Sequence, residues 1–191
     1  MSSWGVPRWS PNAALRLEEA AVTLFERHGY AGVTVPQIAA EAGLTTRTFF
    51  RHFADKRDVM FLRDREFPRV VESAMAGIDP SVAPTEAARR GLETACRELQ
   101  PLRERFLRRS RIIEADPPLQ ERELLSRKVL TDAVAQSLER RGTEPRAARL
   151  VAALTVTCFT LALERWLTDD SARDLPAILG AVRDEMRHYL V

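Results

Sequence analysis

Between residues 45 and 56 the chain gathers side chains suited to holding phosphates and reading base edges: Thr45, Thr46, Arg47, Thr48, Arg51, His52 and Lys56. Hydroxyl, guanidinium, imidazole and ammonium groups are the donors that such acceptors require, and a guanidinium can bind two acceptor atoms at once. Over residues 44–57 four basic residues (Arg47, Arg51, Lys56 and Arg57) stand against one acid, Asp55. Four charges alone would describe an ordinary solvated face. They carry more meaning here because the surrounding residues predict a framework that holds them together.

That framework is two short helices joined by a tight turn, over residues 29–56. Thr34 followed by Gln37 spells a capping box, and Pro36 fits the first turn of a helix, where its missing N–H costs little. Ile38 and Ala42 share the inward face, and Ala39 is small enough for a second helix to cross closely. Gly43 suits the left-handed residue that ends a helix, and Leu44 buries the turn. Thr45 or Thr46 then caps a second helix, whose inner face carries Phe49 and Phe53 four residues apart. Its outer face presents Thr46, Arg47, Thr48, Arg51 and His52. This is the build of a helix-turn-helix DNA reader, and the expected DNA-contacting residues are Thr34, Thr45, Thr46, Arg47, Thr48, Phe50, Arg51, His52 and Lys56. Double-stranded DNA is the expected partner.

The segment resembles the DNA-binding domain of the TetR family of transcriptional regulators. The resemblance is carried by Thr34, Ile38-Ala39, Ala42-Gly43, Thr48-Phe49-Phe50-Arg51-His52-Phe53 and Lys56-Arg57-Asp58. It is specific over residues 12–62 and continues beyond them as length and helix pattern. Most family members carry Tyr where this chain has Phe50, and that Tyr touches a phosphate through its hydroxyl. Phe50 is therefore expected to pack rather than to make that contact. The family's phosphate-binding lysine matches Lys56, which is expected to open helix 4 and reach a phosphate.

Composition sets wider bounds. The chain has 191 residues, 45% of them hydrophobic, and a net charge of only +2, so local charge says more than the total. Two distant cysteines, Cys96 and Cys158, read as free, buried thiols of a cytoplasmic protein. No signal peptide is expected. The uncharged run of residues 150–163 is 14 residues long, shorter than a membrane span needs, and no membrane association is expected. The three histidines, His28, His52 and His188, are scattered, and no metal-ligand spacing, nucleophile motif or phosphate loop occurs. Neither catalysis nor a metal or cofactor is expected. A small-molecule binding protein whose motif has weak or lost DNA affinity is the alternative, and the basic residues of the motif argue against it.

An all-α fold of about nine helices is expected: an arm over residues 1–10, the DNA-binding domain over 11–56, and a regulatory and dimerisation domain over 57–191. Ser10-Pro11 opens helix 1, and Asp55 caps helix 4. Pro68 predicts a kink or break near residues 65–67, with a hinge between the domains as one reading and a plain helix end as the other. Residues 79–85 read as a linker, Asp116-Pro117 opens helix 7, and Thr143 caps helix 8. Leu124, Leu125, Val129, Val134 and Leu138 are the expected buried stripe of helix 7.

Helices 8 and 9, about residues 144–190, are the expected homodimer interface. A surface helix needs an apolar stripe of only about 100°, and an uncharged run of this length must bury more. The resemblance implies the same, since TetR-like proteins dimerise through a four-helix bundle of their last two helices. Arg108-Arg109-Ser110-Arg111-Ile112-Ile113-Glu114, Pro117-Pro118-Leu119 and Glu164-Arg165-Trp166-Leu167 look like the subgroup whose C-terminal domain is described as binding acyl-CoA-like ligands. The resemblance thus implies a small-molecule effector, acyl-CoA-like or otherwise apolar and anionic. Phe67, Met75, Cys96, Arg103, Phe106, Arg109, Phe159 and Trp166 are the candidate ligand residues. Each aromatic or Met position taken singly reads as core, and the arginines of helix 6 read as a solvated basic face or an anion site.

Overall fold

Capping chemistry sets the limits of the first helices. In the computed structural model, which describes residues 12–169 and 174–190, α1 runs Asn12–His28, α2 Val35–Glu41 and α3 Thr46–His52. The expected arm over residues 1–10 and the Ser10-Pro11 cap lie outside the described residues. The Thr34 backbone N–H donates to Gln37 Oε1 at 2.8 Å, as the capping box requires. Gly43 has φ +62°, and its neighbourhood closes α2 as a Schellman turn: Gly43 N–H donates to Ala40 O at 2.9 Å and Leu44 N–H to Ala39 O at 2.8 Å. Thr45 caps α3, its hydroxyl accepting from the Thr48 N–H at 3.1 Å.

A 3-10 turn, Asp58–Phe61, precedes α4 (Leu62–Ala76). Asp55 therefore does not cap α4; its carboxylate lies before this turn and accepts from the backbone N–H groups of Arg57 at 2.8 Å and Asp58 at 3.0 Å. Pro68 does not end α4, which is helical on both sides of it. The remaining helices are α5 (Pro84–Leu99), α6 (Arg103–Glu114), α7 (Pro117–Arg140), α8 (Pro145–Thr168) and α9 (Leu175–Leu190). Glu144, not Thr143, caps α8, accepting from the Ala147 N–H at 3.0 Å. The described residues are all-α, with no strand among them.

The chain forms two compact units. Among the described residues, the first comprises residues 12–62 together with Arg108–Arg122; the second comprises Arg63–Leu107 and residues 123–169 and 174–190. The first core joins Leu17, Phe25, Ile38, Phe49, Phe53 and Phe61 to Ile112, Ile113 and Leu119. Ile112, Ile113 and Leu119 complete the core of the short helices.

The second unit has its own core, with Val71, Met75, Leu92, Cys96, Val134, Leu138, Ala152, Phe159 and Trp166. Gly91 is where α4 and α5 approach: a Cβ added there would stand 2.4 Å from Met75 Cγ. The expected stripe of α7 is only half right. Val134 and Leu138 are buried, but Leu124, Leu125 and Val129 are exposed, because the buried residues of this helix divide between the two cores: Leu119 in the first, Leu130, Val134 and Leu138 in the second.

Helix α8 is longer than its uncharged run. Over 24 residues it contains an 18-residue window of mean hydropathy 1.5, enough by length and composition to cross a membrane. Here it packs as a core helix, burying Ala148, Ala152, Val156, Cys158, Phe159, Ala162 and Trp166. Its other side leaves Leu150, Leu154 and Leu161 exposed.

Candidate nucleic-acid interface

The α3 backbone is fixed from both sides before its outer face is considered. Thr45 holds the first turn, and Phe49 and Phe53 anchor the inner face, with ring centroids 5.3 Å apart. Arg47 and Arg51, four residues apart, therefore project together from the exposed side. Thr45 is also exposed, Thr46, Thr48 and His52 are half-buried, and the Thr45 and Thr48 hydroxyls lie 3.0 Å apart. Thr34 is exposed at the start of α2, where its hydroxyl donates to Gln37 Oε1 at 2.8 Å. The structure thus brings the expected residues of α3 onto one short element.

Two expectations need correction. Phe50 does not pack away: it is 56% exposed, touching the buried Phe49 edge-on at 5.5 Å. The reason is its register. It follows Phe49 by one residue, about 100° around the helix, and so falls on the side of Arg47 and Arg51. Lys56 does not open a helix, and its ammonium is not directed to solvent alone. It donates to Tyr30 O at 2.7 Å and Val33 O at 2.8 Å, and lies 4.0 Å from the Tyr30 ring centre. Its first role is to close the α1–α2 loop. An ammonium has three donors, so a phosphate contact would have to use the third. Partial burial lowers the Lys56 pKa, and burial of the Tyr30 phenol raises its pKa to about 12.

Several positioning residues were missed in the sequence. The Arg16 guanidinium of α1 donates to Ala42 O at the end of α2. Arg108 forks onto Glu26 at 2.7 Å and reaches Glu19 at 2.6 Å, joining α6 to α1. The hydrogen bond from Arg108 lowers the Glu26 pKa. Arg109 is buried, donates to Met60 O at 2.8 Å and lies over the Phe61 ring at 4.8 Å. Arg122 pairs with Asp58 at 3.6 Å. An arginine-rich helix was the available signal, but sequence spacing does not show which acids lie opposite it.

The candidate ligand residues fall into different places. Phe67, Met75, Cys96, Phe106, Phe159 and Trp166 all lie in the second core, where Phe67 and Phe159 stack with centroids 5.1 Å apart. Burial pushes the Cys96 thiol up to about 12, so it holds little reactive thiolate near neutrality. Arg103 closes the C-terminus of α8, donating to Trp166 O at 3.0 Å, Leu167 O at 3.3 Å and Asp169 O at 3.0 Å. Arg109 belongs to the first unit, and the apolar candidates belong to the second.

A capped, seven-residue helix presenting two guanidiniums above a compact helical core is the arrangement of a helix-turn-helix regulator. Comparison with known proteins agrees. Residues 17–61 match the model described as bacterial regulatory proteins of the tetR family, and residues 82–190 match the MftR C-terminal domain. The chain belongs to the TetR family of transcriptional regulators; it is a DNA-binding regulator and not an enzyme. It is 27% identical, over 88% of its length and 86% of the relative's, to the mycofactocin biosynthesis transcriptional regulator MftR of Mycobacterium tuberculosis. Its fold is similar to that of the fatty acid degradation regulator FadR of Bacillus halodurans, with TM-score 0.60, 18% identity and coverage of 95% and 97%. It is also similar to Thermus thermophilus FadR, a repressor solved with lauroyl-CoA, with TM-score 0.58, 18% identity and coverage of 93% and 95%.

Proposed function

We propose that this chain is a ligand-responsive repressor that binds a near-palindromic operator in the cytoplasm as a homodimer. The observation that carries the reading is the α3 face, where Arg47 and Arg51 are exposed on a helix whose backbone is fixed by Thr45, Phe49 and Phe53. Two such helices related by a two-fold axis read half-sites about one helical turn apart. Self-association is supported by the exposed Leu150, Leu154 and Leu161 of α8, at i, i+4 and i+11 with the exposed Thr157 between them. The half-exposed pair of Arg165 and Glu185, bonded at 2.7 and 2.8 Å, ties α8 to α9 beside this face.

An acyl-CoA-like effector is the class this reading favours. A lauroyl-CoA complex exists on the same fold, and the apolar core around Phe67, Phe159 and Trp166 has the chemistry to receive an acyl chain. Arg103 already serves the α8 terminus, so an anionic headgroup would require its release or another cation. The test is selection of duplexes from a random pool, followed by footprinting and sedimentation. The expected result is two protected half-sites, a dimer, and release of DNA by lauroyl-CoA. A monomer bound to a single unsymmetrical site, unmoved by acyl-CoA, would overturn the reading.

A further inference from the structure

Phe50 is an apolar ring on a face otherwise built for polar acceptors, and the fold holds it there. It is 56% exposed, while its neighbour Phe49 is fully buried and meets it edge-on, with centroids 5.5 Å apart at 82°. Arg47 precedes it by three residues, one turn back on the same exposed side of α3, while Arg51, the next residue, stands about 100° further round the helix. A phenyl group has no donor for a phosphate oxygen and no acceptor for a base amine. In the major groove of B-DNA the apolar group within reach of such a ring is the C5-methyl of thymine. Removing that ring and that methyl from water together is favourable, and no other base offers the partner.

We propose that Phe50 is a specificity-determining residue that reads a thymine methyl, placing a preferred thymine beside the position contacted by Arg47. The inference rests on the DNA-binding reading given above, and it makes base choice partly a matter of hydrophobic contact rather than of hydrogen bonds alone. Deoxyuridine isolates the effect, because it lacks only the methyl and pairs as thymine does.

The experiment uses the full chain and the duplex selected from a random pool. Each thymine is replaced in turn, at symmetry-related positions, by deoxyuridine. One symmetric replacement is expected to weaken wild-type binding by roughly tenfold, the scale of two buried methyl groups, one in each half-site. Phe50→Ala and Phe50→Gln should bind the thymine and deoxyuridine duplexes equally. Two variants are used so that a folding defect in one, seen by circular dichroism, leaves the other to decide. If wild type binds the uracil-substituted duplexes as tightly as the parent, the ring lies against sugar or solvent and the proposal falls alone. It falls too if the thymine preference persists in both variants. If no duplex is retained from the pool, the DNA-binding reading fails, and the proposal with it.

Discussion

The two compact units place their informative side chains in opposite settings. In the first, the residues proposed to recognise DNA are outside: Arg47, Phe50 and Arg51 are exposed above an interior that contains Phe49, Phe53 and Ile38. In the second, the candidate ligand residues Met75, Cys96 and Trp166 are inside and indistinguishable from packing. A surface reader is thus defined by what its core leaves uncovered. A ligand site is defined by what its core could exchange for a ligand.

The strongest break in this comparison should come from adjacent positions of α8. Val156 is buried and Thr157 is exposed. Val156→Glu places an unpaired carboxylate in the second core, where burial without a partner is strongly unfavourable. Loss of cooperative thermal unfolding is expected. Thr157→Glu should keep the native helical signal but shift the sedimentation equilibrium towards monomer. Equal unfolding by both would mean that α8 is core on all sides.

Two glycines are held by different neighbours, Met75 at Gly91 and Arg16 at Gly43, and only Gly43 has a left-handed backbone. Gly91→Ala is expected to destabilise by about 1–3 kcal/mol through overlap with Met75, and Met75→Ala should relieve part of it. Gly43→Ala should cost about 1–2 kcal/mol through its left-handed backbone, and its Cβ would also stand 2.9 Å from the Arg16 guanidinium that bonds Ala42 O. It should also reduce DNA affinity, since this turn orients α3. Urea denaturation and DNA titration check both; a recovery of Gly43→Ala by Met75→Ala would contradict this difference in neighbours.

The Arg108 link tests whether residues late in the chain support the reader. Its pair with Glu26 is partly exposed, so Arg108→Ala should cost only about 0.2–1 kcal/mol. The sign with pH follows from the lowered Glu26 pKa: the folded state holds the ionised carboxylate more tightly than the unfolded state does. The contribution is complete above the unfolded pKa, near 4.5, and is lost as pH falls through the lower folded value. The stability gap between wild type and Arg108→Ala should therefore be constant near neutral pH and narrow in acid.

The same contrast explains what the sequence revealed. Caps and turns are local, so Thr34 with Gln37 and Gly43 were legible from spacing, which also narrowed the second cap to Thr45 or Thr46. So were the buried Phe49 and Phe53, which repeat at helical period. Long-range partners were not legible. Nothing near Lys56 in sequence points to the carbonyls of Tyr30 and Val33, and nothing near Arg108 points to Glu26. Helix α7 misled because its buried residues divide between two cores, so a single stripe drawn along it includes the exposed Leu124, Leu125 and Val129.

The central claim is that the exposed face of α3 reads DNA sequence. It is tested most directly by comparing Arg47→Ala with wild type on the selected duplex and on random duplexes at fixed salt. The account predicts a loss on the selected duplex equivalent to about 1–3 kcal/mol, the scale of one good bidentate base contact, and a much smaller loss on random DNA. Equal losses on both would mean that Arg47 contributes charge alone, and would contradict the claim.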